Sequence, residues 1–253
     1  KHNPLLDYLF YVMVRLIAIL LQIADIDASL RVARWLGRGL YRIYGRGRER
    51  ALENLRLSYP EKSPAWIERT ACRSFEHLVM FAFDILYTAR LMRHSTWHRY
   101  TKINNIPEVL QLLLNGRGVI LVTGHYGNFE VMGCVFAALG METFNVARPI
   151  DNPYINRYVY HVLHQGQNII YKKGATDAML DVLKTGAALG IVADQNGSRK
   201  DIFVDFFGRK AATYKSIGLL AMQFDVPIVV GCCRRLDDRF RFEMVCNRII
   251  YPQ

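Results

Sequence analysis

Cysteine is scarce and poorly spaced for bonding or metal work. The 253 residues hold five, Cys72, Cys134, Cys232, Cys233 and Cys246, an odd number without a Cys-x-x-Cys pair. That excludes a disulfide framework and a zinc knuckle, and the five read as small apolar residues in a reducing compartment. Glycine (18) and proline (8) are ordinary, so collagen-like and linker-rich chains are excluded too. Acidic residues are in the minority, 22 against 33 Lys+Arg, which leaves a net charge of +11. A surplus of that size points to anionic partners: nucleic acid, an acidic protein, a phosphorylated substrate or an anionic membrane. The low hydrophobicity of a disordered chain is missing as well, with 51% apolar and 12% aromatic residues. The length suits one large domain or two small ones, with a core that needs no covalent staple.

Several catalytic signatures are also absent. There is no Gly-x-Ser-x-Gly elbow, no Walker-type phosphate loop and no His-Glu-x-x-His zinc helix. Residues 45–50, GRGRER, lack the third glycine and the preceding strand of a dinucleotide loop. His161 and His164 lie three apart with no nearby Cys or carboxylate to complete a metal set. No aromatic-interleaved basic sheet of the RNA-binding kind is visible. Neither a metal nor a cofactor is expected, and nucleic acid is not an expected partner.

The apolar and basic residues are instead concentrated. Residues 8–24, YLFYVMVRLIAILLQIA, form one apolar run with a single charge at Arg15. As a helix it reaches about 25 Å, slightly short of the ~30 Å hydrocarbon core of a bilayer. No small-residue cleavage motif follows it, which argues against a removed secretory signal. Residues 31–50 then carry seven arginines and one glutamate, with Arg31, Arg34, Arg38 and Arg42 on one helical face. A basic amphipathic helix behind an apolar one predicts an anchor on the cytoplasmic, anionic leaflet. Residues 1–50 are therefore expected to be a membrane-associated helical region, and 51–253 the α/β body.

Within that body, 66–92 shows a long helical pattern, with Pro64 near its start. From residue 118 strand-like and helical patterns alternate. Strands are predicted over 118–123, 143–147, 168–171, 188–193, 227–231 and 240–246, and helices over 128–139, 153–164, 176–184 and 214–224. Alternation of this kind predicts an α/β fold with a mostly parallel central sheet flanked by helices.

The informative motif is the strand from Val119 that ends in Gly124-His-Tyr-Gly-Asn-Phe-Glu130. Ligands bind beyond the carboxyl ends of parallel strands, where His125 falls. On a continuous helix Glu130 would point well away from His125, but a turn at Gly124 and Gly127 would let its carboxylate fold back to the imidazole. That pairing suits a general base, with the carboxylate fixing the tautomer. Asn128 and the first N–H groups of the following helix would face developing negative charge.

His-x4-Glu after an apolar strand resembles the signature of the lysophospholipid acyltransferase superfamily, and GHYGNFE resembles the bacterial lipid A biosynthesis acyltransferase family. Further blocks carry the resemblance: Glu53-Asn-Leu-Arg-Leu-Ser-Tyr-Pro-Glu-Lys62, Arg148-Pro-Ile-Asp-Asn-Pro153, Asp194-Gln195, Val204-Asp-Phe-Phe-Gly208 and Ala212-Thr213. The resemblance implies a glycerolipid-acyltransferase-like fold at the cytoplasmic face of the inner membrane. It implies transfer of a fatty acyl chain from a thioester, on acyl-carrier protein or coenzyme A, to a hydroxyl of a phosphorylated glycolipid, the lipid A precursor. His125 would be the base and Glu130 its orienting partner, while Arg148, Asp194 and Gln195 would line the acceptor or thioester site. No Ser or Cys nucleophile is needed, because the acceptor hydroxyl attacks. Two departures stand out. Relatives carry an arginine in the helix before Gly166, where this chain has Val162 or His164; Arg157, Lys172 or Lys173 would then supply the charge, or the acceptor is another lysolipid, aminolipid or glycolipid. The family also continues past the equivalent of Pro252 with a basic tail.

Overall fold

The computed structural model describes residues 3–160, 167–172, 174–199 and 201–252. Four helices come first: α1 (Pro4–Ile23), α2 (Ile26–Ile43), α3 (Gly45–Ser58) and α4 (Pro64–Leu91). Local chemistry sets their starts. Asn3 accepts hydrogen bonds from the Leu5 and Leu6 N–H groups ahead of α1, Asp25 caps α2 and Ser63 caps α4. Prolines in the first turn of α1 and α4 supply helical φ where no donor is needed. The helix expected across 31–50 is two helices, broken at Tyr44.

The body alternates as its sequence pattern predicts: β1 (Thr101–Asn104), α5 (Pro107–Leu114), β2 (Val119–Thr123), α6 (Phe129–Ala138), β3 (Thr143–Ala147), α7 (Pro153–Tyr158), β4 (Asn168–Tyr171), α8 (Ala175–Lys184) and β5 (Ala188–Val192). It continues through β6 (Ile202–Phe206), β7 (Arg209–Thr213), α9 (Ser216–Phe224), β8 (Ile228–Arg235) and β9 (Phe242–Ile250). The main sheet has seven strands in the order β1-β9-β8-β2-β5-β3-β4, while β6 and β7 form a separate hairpin. Every pairing in the main sheet is parallel except β8 with β9. β2 lies in the middle and is buried on both faces. Val119 and Leu121 join a core with Leu30 and Ala33 of α2 and Met80 and Tyr87 of α4, whereas Ile120 joins the opposite core with Leu189, Val182 and Leu220. Parallel strands covered on both sides are near-continuous apolar runs for this reason.

The structure corrects the sequence reading of α2. Arg34, placed by periodicity on a solvent or leaflet face, turns inward, and both it and the half-exposed Arg38 donate from Nε to the buried Glu76 of α4, at 3.2 and 2.6 Å. Gly37 permits this packing, since a Cβ there would lie 2.5 Å from the Glu76 Cα. Arg31 and Arg42 of the same face stay exposed, and so does an apolar stripe, with Trp35 71% exposed beside Val32, Leu36 and Ile43. Periodicity identifies an amphipathic helix, and a buried carboxylate on its neighbour engages two of its four aligned arginines. α1 is exposed over most of its length and is long and apolar enough to cross a membrane, by length and composition.

Candidate active site

His125 lies two residues beyond the end of β2, at the carboxyl edge of the sheet, with its side chain 45% exposed. Its imidazole is held from one side. Nδ1 lies 2.7 Å from Asp194 Oδ1, and the His125 backbone N–H donates to Asp194 Oδ2, also at 2.7 Å. The ring meets Phe129 edge-on, with centroids 5.2 Å apart. Asp194 sits just beyond β5, the strand paired with β2, so adjacent parallel strands deliver the two side chains to one edge. Burial opposes ionisation of Asp194, but the hydrogen bonds from the His125 ring and backbone N–H outweigh it and hold its carboxyl below the ordinary value.

Both motif glycines have a steric purpose. At Gly124 a Cβ would stand 3.0 Å from Asp194 Oδ2, so a larger residue would push the carboxylate away. Gly127 has φ +67, and a Cβ there would come 2.1 Å from the Cys233 carbonyl oxygen. The chain thus turns tightly against β8, where Asn128 N–H donates to that same carbonyl at 2.6 Å.

Asn128 differs from expectation. It is 1% exposed, and its amide is used internally: Oδ1 accepts from Val131 N–H as the cap of α6, while Nδ2 donates to Asp84 of α4 at 2.9 Å. An amide so enclosed has no access to an acceptor or an oxyanion, so its task is to start α6 correctly. Asp84 is in turn ion-paired with Arg235 of β8, whose guanidinium lies 4.9 Å from the Phe242 ring centroid. Burial pushes the Asp84 carboxyl up to about 6, against the opposing effects of Arg235 and Asn128. Sequence reading missed both residues, because Asp84 sits in an apolar run, Arg235 in a stretch of surface-like charges, and each is remote in the chain from the motif.

Glu130, the expected orienting partner of His125, lies in the first turn of α6 and lines a cavity of about 80 Å³. Thr123, Phe129, Met132, Tyr160, Gln167 and Ile191 are among the other lining residues. The carboxylate that accepts from Nδ1 is Asp194, a residue expected only to line the site. Arg148 is exposed and paired with Asp151 at 3.1 Å. Arg157 and Gln195 are exposed, and the Lys172 ammonium stands 5.4 Å from the Tyr214 ring centroid. His164 lies outside the described residues, as do Val162 and Lys173. Among the described residues no cluster of His, Cys, Asp or Glu could hold a metal ion.

A histidine held by a carboxylate at the open edge of a parallel sheet has the geometry that a general base requires. The chain belongs to the bacterial lipid A biosynthesis acyltransferase family, whose profile matches residues 1–252. A lipid A biosynthesis acyltransferase from Haemophilus influenzae is 21% identical over 201 residues, covering 78% of this chain and 62% of that protein. The chain therefore spans less than two thirds of that relative's length. Among solved structures, the 1-acyl-sn-glycerophosphate (LPA) acyltransferase PlsC from Thermotoga maritima aligns with 89% of this chain and 86% of that one, at 12% identity and a TM-score of 0.38.

Proposed function

We propose that this protein is a membrane-surface O-acyltransferase that moves a fatty acyl chain from a thioester to a hydroxyl of a lipid A precursor. The observation that carries the proposal is the His125–Asp194 pair, presented at the carboxyl edge of β2 with no described residue bonded to Nε2. Asp194 accepts the Nδ1 proton and so fixes the tautomer whose Nε2 lone pair is free. Nε2 takes the proton of the acceptor hydroxyl as its oxygen attacks the thioester carbonyl. When the tetrahedral intermediate collapses, the carbon–sulfur bond breaks and the imidazolium returns that proton to the departing thiolate. The products are an ester and a free thiol, with no net proton change at the enzyme. Asp194 stabilises the imidazolium between these steps. In this reading the positive end of the α6 dipole stabilises the developing oxyanion, which is supported by the start of that helix at Phe129, against the His125 ring.

The apolar wall of the cavity beside Glu130, which includes Leu121, Phe129, Met132, Val146 and Ile191, suits the acyl chain. The donor in this reading is acyl-carrier protein or acyl-CoA, and the acceptor is a phosphorylated glycolipid at the cytoplasmic face of the inner membrane. The apolar, exposed α1 and the Trp35 stripe of α2 support membrane residence. A strain lacking the protein should make lipid A that is short of one acyl chain, as read by mass spectrometry. Wild-type protein should restore that chain and His125→Ala should not. Unchanged lipid A with a newly accumulating lysolipid would transfer the same chemistry to another acceptor.

A further inference from the structure

The β6–β7 hairpin is unusual in what it exposes. Every residue of β6 is exposed, including Ile202, Phe203, Val204 and Phe206, with Phe206 at 62%. The turn is Phe207-Gly208, with φ of +51 and +70, the type I′ geometry that asparagine and glycine normally supply. A phenylalanine is strained in this left-handed position. The strain sets a second aromatic ring at the tip, 4.7 Å from the Phe206 ring by centroid. The one ring contact described outside the hairpin is Tyr59 on Phe207, centroids 5.2 Å apart. A two-stranded hairpin with so little packing is marginal in water. Basic side chains flank the rings: Arg209 follows the turn, Lys210 is paired across the strands with Asp205, and Arg199 precedes β6.

Its position gives this surface a purpose. The segment that enters the hairpin begins at the carboxyl end of β5, with Asp194, so the hairpin is rooted on the same edge as His125. The first half of α1 reaches that edge from another side. Asn152, which caps α7 after β3, donates to the Asp7 carbonyl at 2.8 Å, and the Tyr8 ring packs on Tyr154. Two exposed apolar elements thus share the edge that carries the site.

From this arrangement we infer that the β6–β7 tip is a second membrane contact, which inserts Phe206 and Phe207 among the headgroups and acyl chains of an anionic leaflet. Arg209 and Lys210 then meet lipid phosphates. With α1 it holds the His125 mouth against the interface, so an amphiphilic acceptor reaches Nε2 without leaving the bilayer. The purpose assigned to this contact rests on the lipid-acylation reading; the contact itself is measurable without any turnover.

The test is the vesicle partition of the whole protein, by flotation with 3:1 phosphatidylethanolamine:phosphatidylglycerol and with pure phosphatidylcholine. The variant Phe206→Ser/Phe207→Gly relieves the turn strain, and its melting temperature reports that it folds. Its partition into the anionic vesicles should fall about tenfold, which corresponds to about 1.4 kcal/mol. Arg209→Gln should weaken anionic binding about fivefold, from about 1 kcal/mol per basic residue near such a surface, and leave phosphatidylcholine binding unchanged. Leu114→Ser, an exposed apolar residue at the end of α5 on the opposite edge, is the control and should bind as wild type. Wild-type partition of the folded double variant overturns the inference. So does wild-type partition combined with loss of binding to acyl-carrier protein, which would make the tip a protein dock. Hairpin-dependent binding by a protein that acylates no lipid would leave the membrane contact standing and remove the proposed function.

Discussion

Replacing Asp84 by alanine would break the link between α4 and the start of α6. Asp84 is 1% exposed and the Arg235 side chain 9%, so Asp84→Ala leaves a guanidinium buried without its partner. Removing one member of such a pair costs about 3–5 kcal/mol. The Asn128 amide also loses its acceptor. At about 2 °C per kcal/mol for a chain of this size, the melting temperature should drop by about 6–10 °C. The double variant Asp84→Leu/Arg235→Met removes both charges and should recover most of that loss, because apolar replacements of a buried pair are close to neutral. It leaves the Asn128 amide without Asp84, so acyl transfer should recover less than stability does. Thermal melts of the four proteins in the cycle, with turnover measured alongside, give both quantities. A loss below about 1 kcal/mol for Asp84→Ala, or no recovery in the double variant, would refute the reasoning. The pH dependence has a definite sign. The folded carboxyl titrates near 6 and an unperturbed one near 3.8, so between those values the folded state binds more protons. This group's contribution to stability therefore declines as pH rises through that window. Wild type should gain on Asp84→Asn as pH is lowered from 7 to 4.

Four shorter predictions accompany it. His125→Ala should lower kcat by about 10²–10⁴ without unfolding the protein, checked by turnover and circular dichroism. Asp194→Asn should reduce kcat more than it changes KM, since it disturbs the tautomer rather than substrate contacts. Because the Asp194 carboxyl is held below its ordinary value, its stabilising contribution is present above about pH 4 and is lost as pH falls through the lowered value; the melting difference between wild type and Asp194→Ala should therefore shrink from pH 7 to pH 3. Gly37→Ala should destabilise the protein despite alanine's better helix propensity, because its Cβ would strike α4 backbone, and calorimetry would show it.

The central strands and the long helix were legible because burial on both sheet faces makes β2, β5 and β8 near-continuous apolar runs, and because α4 repeats its apolar residues at helical spacing. The short edge strand β1 and the hairpin were not, since neither has a buried face long enough to leave a pattern. His125 stood out through its glycine-flanked turn. The identity of its partner could not be read locally, because Asp194 is brought from 69 residues away by strand pairing, whereas Glu130 was near in sequence. Asn128 was assigned to substrate because its place at a helix start allows either task, and the choice depends on Asp84 of a distant helix. The pairing of Arg34 and Arg38 on α2 is similarly beyond periodicity, because Glu76 belongs to another helix.

The most direct test of the catalytic account is an acyl-transfer reaction with purified protein, an acyl-carrier-protein thioester and a phosphorylated lipid A precursor in phospholipid vesicles, read by mass spectrometry. Wild type should add the mass of one fatty acid less water, and His125→Ala should add nothing above the rate without enzyme. Equal product from His125→Ala, or no acylated lipid from wild type with any thioester donor, would contradict it.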